Sequence, residues 1–150
     1  MTLTDVERAF LEAARVARLA TADAKGRPHV VPICFALVDT ANGTDVVTPV
    51  DEKPKDVAPS GLRRVRDVRE NSRVALVADR YVEDWSRLGW VQVRGPADVT
   101  EPETPDHDDG VAALRSKYDQ YADHALEDRP VIRVAIDSIR SWGRLSWDTG

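Results

Sequence analysis

Residues 18–32 read Arg18-Leu19-Ala20-Thr21-Ala22-Asp23-Ala24-Lys25-Gly26-Arg27-Pro28-His29-Val30-Val31-Pro32. A short, partly β-branched run stops at Asp23-Ala24-Lys25-Gly26, and a second β-branched run follows. The tetrapeptide reads as a turn in which Gly26 is free to take a positive φ. The stretch predicts a hairpin with strands over 16–22 and 28–37. Asn42-Gly43 is a second hairpin signal, leading into a strand over 44–50. Three strands adjacent in sequence imply an antiparallel meander.

Upstream, Thr4-Asp5-Val6-Glu7 has the form of a capping box, and Val6, Phe10, Leu11 and Ala14 follow at helical spacing. A helix over about 5–14 is expected. Downstream, residues 51–61 hold Pro54, Pro59 and Gly61 and read as a loop. Leu62, Val65 and Val68 recur every three residues with arginines between them, which predicts a short helix with one apolar and one basic face. Strands are expected over 73–80 and 89–99, with a connector over 81–88. A helix is expected within 105–118, where Val111, Leu114 and Tyr118 share a face. A last alternating strand is expected over 131–139. The fold class is thus mainly β with short helices. Six antiparallel strands close, or nearly close, into a barrel that hides its edges.

The chain has 150 residues, a formal net charge of −5 and one cysteine, Cys34. That length suits one domain over 1–150. One cysteine excludes an internal disulfide framework, and Cys34 itself reads as a small core or groove residue. No apolar run reaches the roughly 18 residues of a membrane span, and the N-terminus lacks the pattern of a secretory signal. These features read as a soluble, cytoplasmic protein. His29, His107 and His124 are far apart in sequence, and no metal-ligand spacing occurs, which argues against a metal site. Rossmann, P-loop and nucleophile-elbow motifs are absent.

Charge is unevenly placed. Between Lys53 and Arg73 stand seven basic residues against three acidic ones, a net +4. Between Glu101 and Asp109 stand five acids and no Lys or Arg. Cations concentrated in an acidic chain suggest a bound anion, and arginines grip phosphate by forked hydrogen bonds. Trp85, Trp90, Trp142 and Trp147 are available to wall a planar ring. A phosphorylated planar cofactor suits this set better than a polymer, and overall acidity argues against a nucleic-acid module.

Residues 18–32, together with the stretch from Leu62 to Leu76 and Trp90-Val91-Gln92-Val93-Arg94-Gly95-Pro96-Ala97, resemble the pyridoxamine 5'-phosphate oxidase-like split β-barrel family in order and spacing. Residues 51–55 and 79–88 resemble its branch of F420-dependent oxidoreductases, found mainly in actinobacteria. The resemblance implies a six-stranded split barrel forming a homodimer, with cofactor in grooves shared by both chains. Val31, Pro32 and Ile33 would flank the ring, and Thr48 and Pro49 would lie beside the cofactor chain. Arg64 stands in the place of the family's phosphate-binding lysine, with Lys55 and Arg66 as helpers. Two departures are Arg for Lys at 64 and Asn71-Ser72 for Asn-Pro.

The implied activity is hydride transfer between coenzyme F420 and a small organic substrate. Alternatives are an FMN-binding reductase of the same fold and a non-catalytic protein that binds or stores F420. A vitamin B6 oxidase proper is expected to carry a longer C-terminal phosphate-binding segment. No general acid stands out; Tyr81 or a water are the candidates. Light scattering should give a particle of twice the chain's mass, and a monomer that still binds cofactor would contradict the shared groove.

Overall fold

The structure is a computed structural model and describes residues 2–50, 62–123 and 125–147. Helix α1 (Asp5–Ala13) starts where the capping box places it. The Thr4 hydroxyl accepts from Glu7 N at 3.2 Å, and Glu7 Oε1 accepts from Thr4 N at 2.9 Å. Phe10 and Leu11 on its inner face are fully buried. Strands β1 (Ala17–Ala22) and β2 (Pro28–Ile33) form the expected hairpin, with Ala17 opposite Ile33 and Ala22 opposite Pro28. Gly26 takes φ +79° in its turn. Asp23 Oδ1 accepts from the N–H groups of Lys25 and Arg27 at 2.9 and 3.0 Å. The Arg27 N–H, foremost among its hydrogen-bond donors, holds the Asp23 carboxyl below the usual carboxylate range.

The strand expected over 28–37 is two strands. After β2 the chain breaks at Cys34-Phe35 and resumes as β3 (Ala36–Thr40), which pairs with β4 (Gly43–Pro49) rather than with β2. The cause lies in side chains remote in sequence. Phe35 N donates to the Tyr118 hydroxyl at 3.1 Å, and the Thr48 hydroxyl donates to Cys34 O at 2.8 Å. Backbone groups satisfied this way leave the ladder. The meander is therefore two hairpins, β1–β2 and β3–β4, at opposite ends of the sheet.

Helix α2 (Arg63–Glu70) and strand β5 (Arg73–Arg80) match their expected positions. The long strand β6 (Gly89–Thr100) pairs with β5 along one edge. Helix α3 (Pro105–Lys117) follows, capped by Thr104. The strand expected over 131–139 is also two strands, β7 (Val131–Ala135) and β8 (Ser138–Gly143). Their partners explain the break. Residues 97–100 of β6 pair with β7, while residues 89–94 pair with β8. At the crossover Gly95 has no side chain, and a Cβ there would lie 1.7 Å from Ala135 O.

The described residues thus hold eight strands rather than six. Their order is β2-β1-β5-β6-β7-β4-β3, with β8 added to the free half of β6. The fold is mainly β, and the sheet is open because β2 and β3 do not pair. Its concave side closes over Phe10, Leu19, Phe35, Val65, Leu76, Val93 and Ile132. Full burial of one such Leu or Phe contributes roughly 1.5–3 kcal/mol. A second cluster, with Val47, Val111, Leu114, Leu126 and Val131, lies under α3. Among the described residues no helix is long and apolar enough to cross a membrane.

Gly95→Ala should force β6 and β7 apart and cost about 3 kcal/mol or more. Gly26→Ala meets open space and pays only for its positive φ, about 1 kcal/mol. Thermal melts of the two variants check the ranking.

Candidate functional site

A groove of about 410 Å³ opens where β2, β4 and α2 meet. The end of β2 contributes Val31, Pro32 and Ile33, and the end of β4 contributes Thr48 and Pro49. Helix α2 contributes Arg64, while Val16, Cys34 and Tyr121 complete the lining. Six of the eight residues named from sequence therefore meet at one place. Arg66 is exposed on α2 and does not line the groove. Lys55 and the expected loop over 51–61 lie outside the described residues.

The groove has two chemical characters. Val16, Val31, Pro32, Ile33 and Pro49 form an apolar wall. Arg64 supplies a cation with a forked set of donors. Thr48 is almost fully buried, and its hydroxyl hydrogen is committed to Cys34 O. Its oxygen is left as an acceptor, so it suits a ligand N–H or hydroxyl and not a phosphate oxygen. β2 is a terminal strand of the sheet, so its outer edge offers backbone groups to a ligand.

Arg64 is placed by its neighbours on α2. Asp67 is 1% exposed, yet its carboxylate is saturated with donors. The Thr21 hydroxyl donates to Oδ2 at 2.7 Å, and Arg63 Nε donates to both oxygens at 2.8 and 2.9 Å. Arg63 Nη2 also donates to Arg27 O at 3.2 Å, and Glu70 accepts from Ala24 N at 3.1 Å. Helix α2 is therefore fastened to the β1–β2 hairpin, which also carries the apolar wall. Cation and wall are held as one piece.

Sequence reasoning missed Tyr121 and Val16 as lining residues and Asp67 as the fastening. Tyr121 lies in a 3₁₀ turn after α3 and shows only as an apolar residue among polar ones. The Arg63–Asp67 spacing of four was legible as a helical pair. The tryptophans do not wall the groove. Trp147 stacks on Phe10 at 4.9 Å, Trp90 and Trp142 face each other across β6 and β8, and Trp85 is exposed. Tyr81 is exposed and accepts from Trp85 Nε1 at 3.1 Å, away from the groove lining. The basic segment is also less free than its count suggests. Arg63 pairs with Asp67 (2.8 Å), Arg69 with Glu101 (2.7 Å) and Arg73 with Asp137 (2.7 Å).

A family model described as Pyridoxamine 5'-phosphate oxidase matches residues 3–143. A 5a,11a-dehydrotetracycline/5a,11a-dehydrooxytetracycline reductase from Streptomyces rimosus is 39% identical over 79 residues, 53% of this chain. That match spans about half (50%) of the relative's own length. Among solved structures, the conserved hypothetical protein Rv2991 from Mycobacterium tuberculosis gives a TM-score of 0.71 at 19% identity. The match covers 95% of this chain and 86% of that one. HutZ, a heme storage protein from Vibrio cholerae, gives 0.64 at 18% identity and covers 95% of each chain. These two likenesses show the fold.

Asp67→Ala should cost about 1–3 kcal/mol, because it leaves the buried Thr21 hydroxyl without its acceptor. It should also weaken any ligand held at Arg64, although Asp67 does not line the groove. Urea unfolding and ligand titration of the same variant check both effects.

Proposed function

The chain belongs to the pyridoxamine 5'-phosphate oxidase family, and on that premise we propose that its groove binds a flavin-type cofactor in a reductase of small, electron-poor substrates. The observation that carries the reading is the pairing of an apolar wall with one arginine in a single groove. A planar ring fits the wall of Val31, Pro32, Ile33 and Pro49, and a phosphate fits Arg64. Thr48 accepts from a ring N–H or a side-chain hydroxyl of the cofactor. When bound and reduced, such a cofactor supplies the hydride. The protein contributes orientation and an apolar wall beside the reacting face. The Streptomyces relative is named as a reductase, which supports reduction as the direction.

FMN is the favoured cofactor. The net +4 that suits polyanionic F420 is partly cancelled, since Arg63, Arg69 and Arg73 each hold a carboxylate. Among the described residues, Arg64 is the arginine that lines the groove, and one arginine matches one phosphate. F420, with its glutamate tail, is the second reading. It draws on Arg66, which is exposed, and on Lys53 and Lys55, which lie outside the described residues. A heme-storage role finds less support, since no histidine lines the groove among the described residues.

The functional unit is a homodimer in this proposal. The outer face of β2, β1, β5, β6 and β8 carries Val30 (63% exposed), Ala20, Ala75, Val77 and Trp142 (54% exposed). Pro32 lies on that face and also lines the groove. A second copy seated there would close the open side of the groove.

Arg64→Glu should weaken FMN binding at least tenfold, about 1.4 kcal/mol, in protein that circular dichroism shows to be folded. An unchanged affinity would remove the phosphate assignment. Reduced cofactor mixed anaerobically with a conjugated enone should be reoxidised faster with the protein than without it. No acceleration across a panel of such acceptors would leave a binding protein.

A further inference from the structure

The groove lies on the seam between the two hydrophobic clusters. Val31, Ile33 and helix α2, through Val65, pack into the first cluster. Tyr121 belongs to the second, and Cys34 packs against it. Arg64 therefore reaches the groove from one side of the seam and Tyr121 from the other. Among the described residues Tyr121 is the one aromatic side chain in the groove lining. It is 6% exposed, and its seat is fixed. Its N–H donates to Tyr118 O at 3.1 Å, and its carbonyl accepts from Arg115 Nε at 3.1 Å. Its ring packs edge-to-face on that of Tyr118, with centroids 5.5 Å apart and planes at 69°. Tyr118 is clamped in turn, since its hydroxyl donates to Arg15 O at 2.9 Å and accepts from Phe35 N at 3.1 Å. The Tyr121 ring is thus placed before any ligand arrives, and a ligand spends little on ordering it.

We infer that Tyr121 is the aromatic contact of the cofactor ring and sets the cofactor's direction in the groove, ring towards Tyr121 and phosphate towards Arg64. The inference rests on the flavin reading above and deepens it. A flavin ring is planar and electron-poor, and a phenol ring is planar and electron-rich, so contact between them is favourable. The apolar wall of Val31, Pro32, Ile33 and Pro49 offers the ring burial without this preference. The reverse direction carries a penalty. Among the described lining residues Arg64 is the one cation, so a reversed cofactor would set its phosphate beside Tyr121 and Cys34 with no charge to meet it. A tyrosine that only fills the cluster under α3 would make no contact with the cofactor.

Flavin emission reads the contact directly. A tyrosine ring that touches an excited flavin quenches it by donating an electron, and a phenylalanine ring does not. FMN is titrated into the full chain, with binding followed by anisotropy and the emission of the bound fraction by lifetime. Bound FMN should be several-fold dimmer than free FMN. In Tyr121→Phe, which keeps the packed ring, bound FMN should brighten several-fold at an affinity within about tenfold of the parent's. In Tyr118→Phe, which alters a ring outside the groove lining, it should stay dim. Bound FMN that is bright in the parent, or equally dim in Tyr121→Phe, or brightened only in Tyr118→Phe, would overturn the inference and leave the cofactor reading standing. An anisotropy that never rises would overturn the cofactor reading itself, and this inference with it.

Discussion

The Asp67 carboxylate is the contact on which the groove depends. It is buried, and three hydrogen bonds from Thr21 and Arg63 satisfy it. A buried ion pair of this kind adds little net stability, because desolvation offsets most of the attraction. Its consequence is positional. It admits one seat for α2 on the β1–β2 hairpin, and so one distance between Arg64 and the wall from Val31 to Ile33. Removing either partner leaves a buried polar group unpaired, which penalises every other seat.

The opposite side of the groove depends on a second constraint, the division of β6. Its first half pairs with β8 and its last residues with β7. Gly95 allows the close approach at which the partner changes. Strand β7 then carries β4, and with it Thr48 and Pro49, towards the end of β2. Thr48 makes the hydrogen bond to Cys34 O that ends β2. The break in the sheet and the site are thus one feature: the chain leaves β2 where the groove begins.

Much of this was legible in the residue order, because it is local. Thr4 and Glu7 cap α1, Asn42-Gly43 turns β3 into β4, and the apolar run with Val74, Leu76 and Val77 marks β5. The two strands read as continuous were misread for one reason. Their breaks are imposed by Tyr118 and Thr48 in one case and by Gly95 in the other, all distant in sequence. Periodicity within 28–37 or 131–139 carries no trace of those partners. The arginines show the same limit. Their number suggested a polyanion, but Glu101 and Asp137, which neutralise two of them, come from other parts of the chain. The six residues that meet in the groove came from family resemblance, while Tyr121 stands out locally only as an apolar residue among polar ones.

In the proposed function one arginine and an apolar wall hold a singly phosphorylated, planar cofactor. The most direct measurement is a paired titration of the purified protein with FMN and with F420, followed by fluorescence. FMN should bind saturably at one per chain, and more tightly than F420. Tighter F420 binding would show that cations outside the groove lining set the choice, contradicting the one-arginine argument. Binding of neither would contradict the cofactor reading while leaving the fold unchanged.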